Sequence, residues 1–243
     1  MASGFLILIS FFTRIPVGKR IEYNEENFIK ALNLYTLAGA VTGFVLALIY
    51  LIFNNHPPFL RGLMLTITYL AVTGGIHLDG AADTADGLLS GRGEDRVFEI
   101  MSDSRLGAFG VISLILIILS QFVLFSLSRP ETVFMMPLAG RAGTIAACWN
   151  KKYAKNTKGM GTIFVENINE RVLLANIITL FIFSMFPWYR TIIFTASFAA
   201  TAFAYFISTL IEEKIGGMTG DTCGAVTEIS QIMFMITVLF LKG

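Results

Sequence analysis

The sequence predicts an all-α protein, a polytopic integral membrane helical bundle. Of its 243 residues, 55% are hydrophobic and only 14% are charged, and the mean hydropathy is +0.70. Soluble domains carry about 25% charged residues. Several apolar stretches also approach the roughly 20 residues that a helix needs to cross a bilayer. We therefore expect about seven transmembrane helices in a single integral membrane domain that occupies residues 1–243.

The chain opens with an apolar stretch over residues 5–12, which is too short to cross a membrane. It ends at Thr13-Arg14-Ile15-Pro16, without the small-residue cleavage pattern of a secretory signal. An interfacial or re-entrant N-terminal helix fits this stretch better than a transmembrane span.

Seven longer apolar segments follow. They cover residues 31–53, 60–76, 107–127, 132–149, 172–188, 191–211 and 224–241. If these segments alternate in direction, most lysines and arginines fall on one side of the membrane, which the positive-inside rule assigns to the cytoplasm. The loops that carry candidate site residues fall on this same side. We therefore expect a multi-pass protein of the cytoplasmic membrane whose active site faces the cytoplasm.

Composition also narrows the function classes. The formal net charge is +1, and no basic run with interleaved aromatic residues is present, so nucleic acid is not an expected partner. Cys148 and Cys223 are far apart in the sequence and belong to no CxxC pattern. They indicate buried thiols rather than a disulfide framework or a zinc site. A homo-oligomer is compatible with the sequence.

Three aspartates form the clearest candidate site. Asp79, Asp83 and Asp86 stand four and then three residues apart, which places them on one face of a helix. Like charges repel at this spacing, and oxygen ligands suit a hard cation, so we expect Mg²⁺ and a phosphate-bearing substrate. Gly80 and Gly87 predict an open surface beside the carboxylates. The alternative is a solvated helix start, where acidic residues favour the helix dipole.

Further polar residues flank this helix. His77 is expected either to contact Asp79 or a phosphate, or to be structural. Asp103 and Arg105 precede the next span and suggest a second metal ligand beside a phosphate clamp. Alternatively, Asp103 caps the following helix and Arg105 extends to the membrane interface.

A glycine-rich segment over residues 216–224 leads into the last span. Its backbone amides, including that of Gly220, are candidates for holding a diphosphate. Asp221 is a candidate metal ligand or general base. Glu228 lies seven residues later on the same helical face, and an acid inside a span is a functional candidate by default.

Two basic features complete the candidate site. Arg141 lies inside an apolar segment, where a charge costs roughly 2.5 kcal/mol or more, so it needs a carboxylate or a substrate phosphate as partner. Lys151, Lys152, Lys155 and Lys158 lie in the loop that follows. One or two of these lysines, Lys151 and Lys158 in particular, are expected to touch substrate.

Four stretches together resemble the cobalamin synthase family, the adenosylcobinamide-GDP ribazoletransferases. They are Phe-Phe-Thr-Arg-Ile-Pro at 11–16, Gly-Ile-His-Leu-Asp-Gly-Ala-Ala-Asp-Thr-Ala-Asp-Gly at 75–87, Glu-Ile-Met-Ser-Asp-Ser-Arg-Leu-Gly-Ala-Phe-Gly at 99–110, and Gly-Met-Thr-Gly-Asp-Thr-Cys-Gly-Ala at 217–225. The resemblance covers nearly the whole chain, and the Lys158-Gly-Met-Gly161 loop looks like a further family segment. Gln231 departs from the glutamate expected in many members.

The resemblance implies a reaction. The phosphoryl-cobinamide moiety of adenosylcobinamide-GDP would pass to alpha-ribazole or alpha-ribazole 5'-phosphate, releasing GMP and giving adenosylcobalamin or its 5'-phosphate. It also implies Mg²⁺ as cofactor. For this reaction Asp103 or Asp221 is the candidate general base, and Arg14 is a candidate substrate contact.

Other function classes fit less well. A CDP-alcohol phosphotransferase expects Ala-Arg after the first Asp-Gly, whereas Ala81-Ala82-Asp83 follows here. An intramembrane prenyltransferase expects a second cluster of aspartates. A cation-coupled transporter expects acids deep in several spans rather than in loops. A purely structural subunit would leave three neighbouring aspartates without a counter-charge.

Overall fold

The fold is described by a computed structural model over residues 2–17, 22–155, 159–186 and 189–242. The helices are α1 (Ala2–Phe12), α2 (Glu25–Ala31), α3 (Tyr35–Ile52), α4 (Pro58–Thr73), α5 (Ile76–Leu89), α6 (Glu94–Met101), α7 (Ala108–Leu127), α8 (Pro130–Cys148), α9 (Met160–Glu166), α10 (Glu170–Ser184), α11 (Arg190–Ile215) and α12 (Gly220–Lys242). A short 3-10 turn, Leu32–Leu34, joins α2 to α3. No strand occurs within these ranges, which confirms the all-α prediction.

Each of the seven predicted spans corresponds to a helix, but the number of candidate spans is smaller. In the described ranges four helical stretches are long and apolar enough to cross a membrane: Glu25–Ile52, Ala108–Leu127, Arg190–Ile215 and Gly220–Lys242. The bent pair α4 and α5 would make a fifth. The predicted polytopic membrane bundle is thus supported, while the count of seven exceeds the four or five that length and hydropathy support.

Helices α8 and α10 account for most of this difference. Helix α10 has only 15 residues. Helix α8 packs against α3, α10, α11 and α12, and every residue from Met135 to Cys148 is buried. Because protein rather than lipid surrounds α8, its sequence can include the polar Arg141 and several glycines without the hydropathy of a lipid-facing span.

Close helix packing around α8 depends on small residues. A Cβ atom at Gly39 of α3 would lie 2.7 Å from the carbonyl oxygen of Pro137, and one at Gly140 would lie 2.5 Å from Gln231 of α12. Such approaches are typical of helices that associate within membranes. They fix α3 and α12 against the same central helix.

A sharp bend separates the aspartate helix from the preceding span. Gly74 and Gly75 have φ of 64° and 72°, a left-handed conformation that glycine adopts without strain. Helix α4 ends there, and α5 continues at 89° to it. Helix α5 then packs against α7 and α12, so the three aspartates belong to a separate helix rather than to the end of a span.

Helix α1 is the short N-terminal helix that the sequence predicts. It packs against α2 and α3, and Leu8 and Phe12 are buried in the same hydrophobic cluster as Phe28. After α1, the backbone N–H of Arg14 donates to the carbonyl of Val72 at 2.7 Å. This bond holds the N-terminal segment beside the bend that leads into α5.

Candidate active site

The site is assembled where α5 crosses α12. A Cβ atom at Gly80 would lie 2.7 Å from the carbonyl oxygen of Asp221, and one at Gly224 would lie 2.9 Å from the carbonyl oxygen of His77. Gly80 was expected to leave an open surface, but it packs directly on the backbone of α12. The close contact brings Asp79 and Asp83 of α5 to the same place as Asp221.

Two adjoining pockets open at this crossing. The first, which we call the aromatic pocket, has a volume of about 220 Å³ and is lined by Phe12, Tyr35, His77, Phe164 and Asp221, among others. The second, the polar pocket, has a volume of about 820 Å³ and is lined by residues that include Arg14, Asp79, Asp83 and Asp103. Phe11, Ile76 and Asp79 line both pockets. Asp79 therefore lies at the boundary between the two.

Asp86 does not share the position of the other two aspartates of α5. It is 8% exposed, and its carboxylate accepts the backbone N–H groups of Gly107 at 2.7 Å and of Gly110 at 2.8 Å. A carboxylate at a helix N-terminus satisfies amides that have no partner within the helix. Asp86 thus anchors the start of α7 instead of joining Asp79 and Asp83 at the polar pocket.

Gly87 and Asp103 also differ from their expected surroundings. Gly87 packs against Val97 and Met101 of α6 rather than facing open space. Asp103 was a candidate cap for α7, a role that Asp86 occupies. The carboxylate of Asp103 instead accepts hydrogen bonds from the backbone N–H and the guanidinium of Arg105.

This pairing sets the charge state of Asp103. The hydrogen bonds from Arg105 lower the pKa of the Asp103 carboxyl to about 2. Asp103 lies in the loop before α7 and lines the polar pocket, whereas Arg105 is largely exposed. The two residues form an ion pair at the rim of this pocket, and Asp103 stays ionised at neutral pH.

Lys155 is a site residue that sequence reasoning did not single out. Its Nζ lies 3.4 Å from Oδ2 of Asp221. The loop before it pairs with the turn before α12, since Ala154 N–H donates to Met218 O and Met218 N–H donates to Lys152 O, both at 2.9 Å. Basic loop residues are common on the cytoplasmic side, so only its ion pair with Asp221 distinguishes Lys155 from its neighbours.

The start of α12 is fixed by a pair of threonines. The backbone N–H of Thr222 donates to the Thr219 hydroxyl, and the N–H of Thr219 donates to the Thr222 hydroxyl. This reciprocal arrangement resembles a capping box. It holds Gly220 and Asp221 in the first turn of α12, where both line the aromatic pocket.

Three of the predicted substrate contacts lie away from both pockets. Glu228 is fully buried, and its two carboxyl oxygens accept from the Tyr69 hydroxyl at 2.6 Å and the Gln121 amide at 2.7 Å. The side chain of Lys151 pairs with Glu212. Glu228 and Lys151 therefore make structural contacts within the bundle.

The third is Arg141. It is 2% exposed, and its guanidinium lies 5.7 Å from the centre of the Tyr35 ring rather than against a carboxylate. Tyr35 lines the aromatic pocket, so Arg141 contacts the wall of that pocket from behind. Lys158, also predicted to touch substrate, lies outside the described residues.

His77 and Arg14 do reach the pockets. The His77 ring stacks on Phe12, with ring centres 5.9 Å apart and planes at 20°. It faces the aromatic pocket. Within the described residues, the ring nitrogens of His77 form no hydrogen bond with Asp79. Arg14 is exposed, and its side chain lies over Gly74 beside the polar pocket.

The residues at the polar pocket suit a cation that is completed by substrate. Within the described ranges, no group of three or more His, Cys, Asp or Glu side chains is arranged to hold a metal ion. Mg²⁺, however, is usually held by one or two carboxylates together with substrate phosphates and water. Asp79 and Asp83, which both line the polar pocket, supply such a pair.

Known proteins resemble this chain over nearly its whole length. The CobS family, described as cobalamin-5-phosphate synthase, matches residues 4–239. A protein of Fusobacterium nucleatum named adenosylcobinamide-GDP ribazoletransferase is 37% identical, over 97% of this chain and 96% of its own. Proteins of the same name from Clostridium botulinum and Acetivibrio thermocellus are 35% and 32% identical, each over 98% of this chain and over 98% and 97% of their own.

No solved structure matches the fold. The relatives' shared name describes a transferase of cobalamin synthesis. Since the family match extends across the segments that form both pockets, the chain belongs to the CobS family of cobalamin-5-phosphate synthases.

Proposed function

We propose that this chain, as one catalytic domain over residues 1–243, transfers the phosphoryl-cobinamide moiety of adenosylcobinamide-GDP to alpha-ribazole or alpha-ribazole 5'-phosphate. GMP is the leaving group, and the product is adenosylcobalamin or its 5'-phosphate. The names of the relatives support the substrate classes. The observation that carries the proposal is the crossing at Gly80, which gathers Asp79, Asp83 and Asp221 at the boundary of two pockets.

The polar pocket is the proposed site of the diphosphate. It is the larger of the two pockets, and it combines carboxylates with the cationic Arg14. Asp79 and Asp83 would hold Mg²⁺ there together with the substrate phosphates. When bound, the ion would neutralise charge on the diphosphate and on the departing GMP. Arg14 would contribute a further positive charge to the phosphoryl oxygens.

Asp221 is the proposed general base. A ribose hydroxyl must lose its proton as its oxygen attacks phosphorus and the bond to GMP breaks. Asp221 lines the aromatic pocket next to Asp79, and Lys155 lies beside it. Asp103 suits this step less well, because its carboxylate is held in an ion pair by Arg105, which lowers its pKa to about 2.

The proposed location is the cytoplasmic membrane, with both pockets facing the cytoplasm. Large apolar side chains are exposed along α7, including Ile112, Leu116 and Leu119. A lipid bilayer would cover such a surface. The cytoplasmic orientation rests on the excess of lysine and arginine in the loops on the pocket side.

A reconstituted reaction tests this function. Purified protein in detergent would be given adenosylcobinamide-GDP, alpha-ribazole and Mg²⁺, and GMP release would be followed. Turnover that requires both substrates and stops on chelation of Mg²⁺ is expected. A folded protein that releases no GMP under these conditions would refute the proposal, and release without alpha-ribazole would indicate a hydrolase instead.

A further inference from the structure

We propose that the aromatic pocket binds the base of the nucleoside acceptor, and that guanine of the donor lies elsewhere. The ligand is a flat, largely apolar bicyclic base, the benzimidazole of alpha-ribazole. This inference rests on the proposed function and assigns one of its two substrates to one of its two pockets.

The walls of the pocket are suited to a planar ring. The Tyr35 ring lies edge-on to Phe12, with centres 4.9 Å apart, and edge-on to Phe164, with centres 5.0 Å apart. On another side, His77 stacks on Phe12. Aromatic side chains in edge and stacked arrangements accept a further ring readily. All four rings line the aromatic pocket, so a planar ligand there would contact aromatic side chains.

The volumes of the two pockets indicate which substrate group each pocket can hold. Drug-sized ligands generally occupy pockets of about 300–1,000 Å³. The aromatic pocket, at about 220 Å³, admits a bicyclic base but not a corrin macrocycle. The polar pocket, at about 820 Å³, leaves room for the diphosphate and part of a larger group.

Polar groups in the aromatic pocket match one ring nitrogen better than a purine edge. The benzimidazole base presents a single acceptor nitrogen. His77 is 5% exposed, lines the pocket, and has no hydrogen-bond partner for its ring among the described residues. A neutral imidazole offers one N–H donor, which meets this need. Guanine also presents O6 and N7 acceptors, and an apolar wall would leave them unpaired at a cost.

The carboxylates at the pocket also oppose a guanine occupant. Asp79, which is exposed, and Asp221, which is half-buried, are the acidic groups among the described residues of the lining. If they bound the N1 and N2 edge of guanine, the ribose and phosphates on the far side of the base would enter the ring-lined interior. Charged phosphates are costly there. A benzimidazole seated among the rings instead places its ribose beside Asp221, next to the polar pocket.

Steady-state kinetics of a pocket variant test the assignment. Phe164 is buried in the pocket wall. In Phe164→Ala the KM for alpha-ribazole should rise about tenfold, as expected for the loss of one aromatic contact, while the KM for adenosylcobinamide-GDP stays within twofold. Phe44→Ala removes a ring of α3 that is 59% exposed. This control should change neither KM.

Inhibition gives a second readout, which is measured on the wild-type protein and on Phe164→Ala. Free 5,6-dimethylbenzimidazole should compete with alpha-ribazole and not with adenosylcobinamide-GDP. In Phe164→Ala its inhibition constant should rise about tenfold, with that of GMP unchanged. If the substitution instead weakens the binding of GMP or adenosylcobinamide-GDP, guanine occupies the pocket and the assignment is wrong. Unchanged constants for every ligand would also overturn it.

Calorimetric titration separates this inference from the proposed function. Alpha-ribazole would be titrated into folded wild-type protein and into Phe164→Ala. Weaker binding by the variant supports the pocket assignment even if GMP release fails. Normal turnover with equal binding by both proteins refutes the assignment and leaves the proposed function intact.

Discussion

The backbone of Asp221 packs directly on Gly80. A Cβ atom at Gly80 would lie 2.7 Å from the Asp221 carbonyl oxygen and 2.8 Å from its Cα. Two helices that are far apart in sequence meet at this point, and Asp79 of α5 and Asp221 of α12 both line the aromatic pocket. The distance between the helices therefore controls the geometry of the site.

Substitution of Gly80 tests this control. In Gly80→Ala the added methyl group forces α5 and α12 apart, which should cost about 1–3 kcal/mol of stability and lower the rate of GMP release at least tenfold. Gly93→Ala is the matched control, since an added Cβ there meets nothing within 4 Å. Thermal unfolding in detergent and GMP release measure the two effects. Wild-type turnover in Gly80→Ala would show that the helix spacing does not matter.

Asp83 and Asp86 should respond differently to the same substitution. Asp83→Asn removes a carboxylate from the polar pocket and should abolish magnesium-dependent GMP release while leaving the fold intact. Asp86→Asn weakens the charge-assisted bonds to Gly107 and Gly110 and should cost about 1–3 kcal/mol of stability. Activity assays across Mg²⁺ concentrations and thermal unfolding compare the two variants. Equal loss of the magnesium response in both variants would indicate that Asp86 also binds the metal ion.

The rate of the chemical step in two variants shows whether Asp221 or Asp103 is the general base. Asp221→Asn should lower turnover by about 10²–10⁴-fold, the usual contribution of a general base. Asp103→Asn should have a smaller effect, because the Asp103 carboxyl is already committed to Arg105. Single-turnover measurements at saturating substrate compare them. A larger loss in Asp103→Asn would reverse the assignment of the base.

Glu228 should affect stability rather than substrate affinity. Its removal in Glu228→Ala leaves the Tyr69 hydroxyl and the Gln121 amide buried without their acceptor. Each such group costs about 1–3 kcal/mol. The variant should unfold at a lower temperature, while its folded fraction keeps the wild-type KM for both substrates. An increased KM with unchanged stability would restore the predicted substrate contact.

Chemical labelling tests the orientation. Cysteines introduced in Ser102→Cys, beside the polar pocket, and in Asn54→Cys, after α3, are both at exposed positions. An impermeant thiol reagent should reach the first from the cytoplasmic side only and the second from the opposite side only. Cys148 and Cys223 are buried and should contribute little labelling. Reaction of both introduced cysteines from one side would contradict the proposed topology.

Much of the site's location follows from local sequence. Spacing placed Asp79, Asp83 and Asp86 on one helix, and the structure has that helix as α5. The direction of each carboxylate was beyond such reasoning. Asp86 is drawn to amides 21 and 24 residues away along the chain, and the position of those amides depends on how α7 packs.

The sequence by itself determined the all-α class, the apolar bundle and the family, because composition, helical periodicity and segment motifs are local properties of the chain. Tertiary structure alone decided that Gly80 contacts α12, that Lys155 meets Asp221, and that α8 is enclosed by protein. These features depend on the distance between backbones from different helices. Packing of small residues sets that distance, and no local pattern encodes which helices will meet.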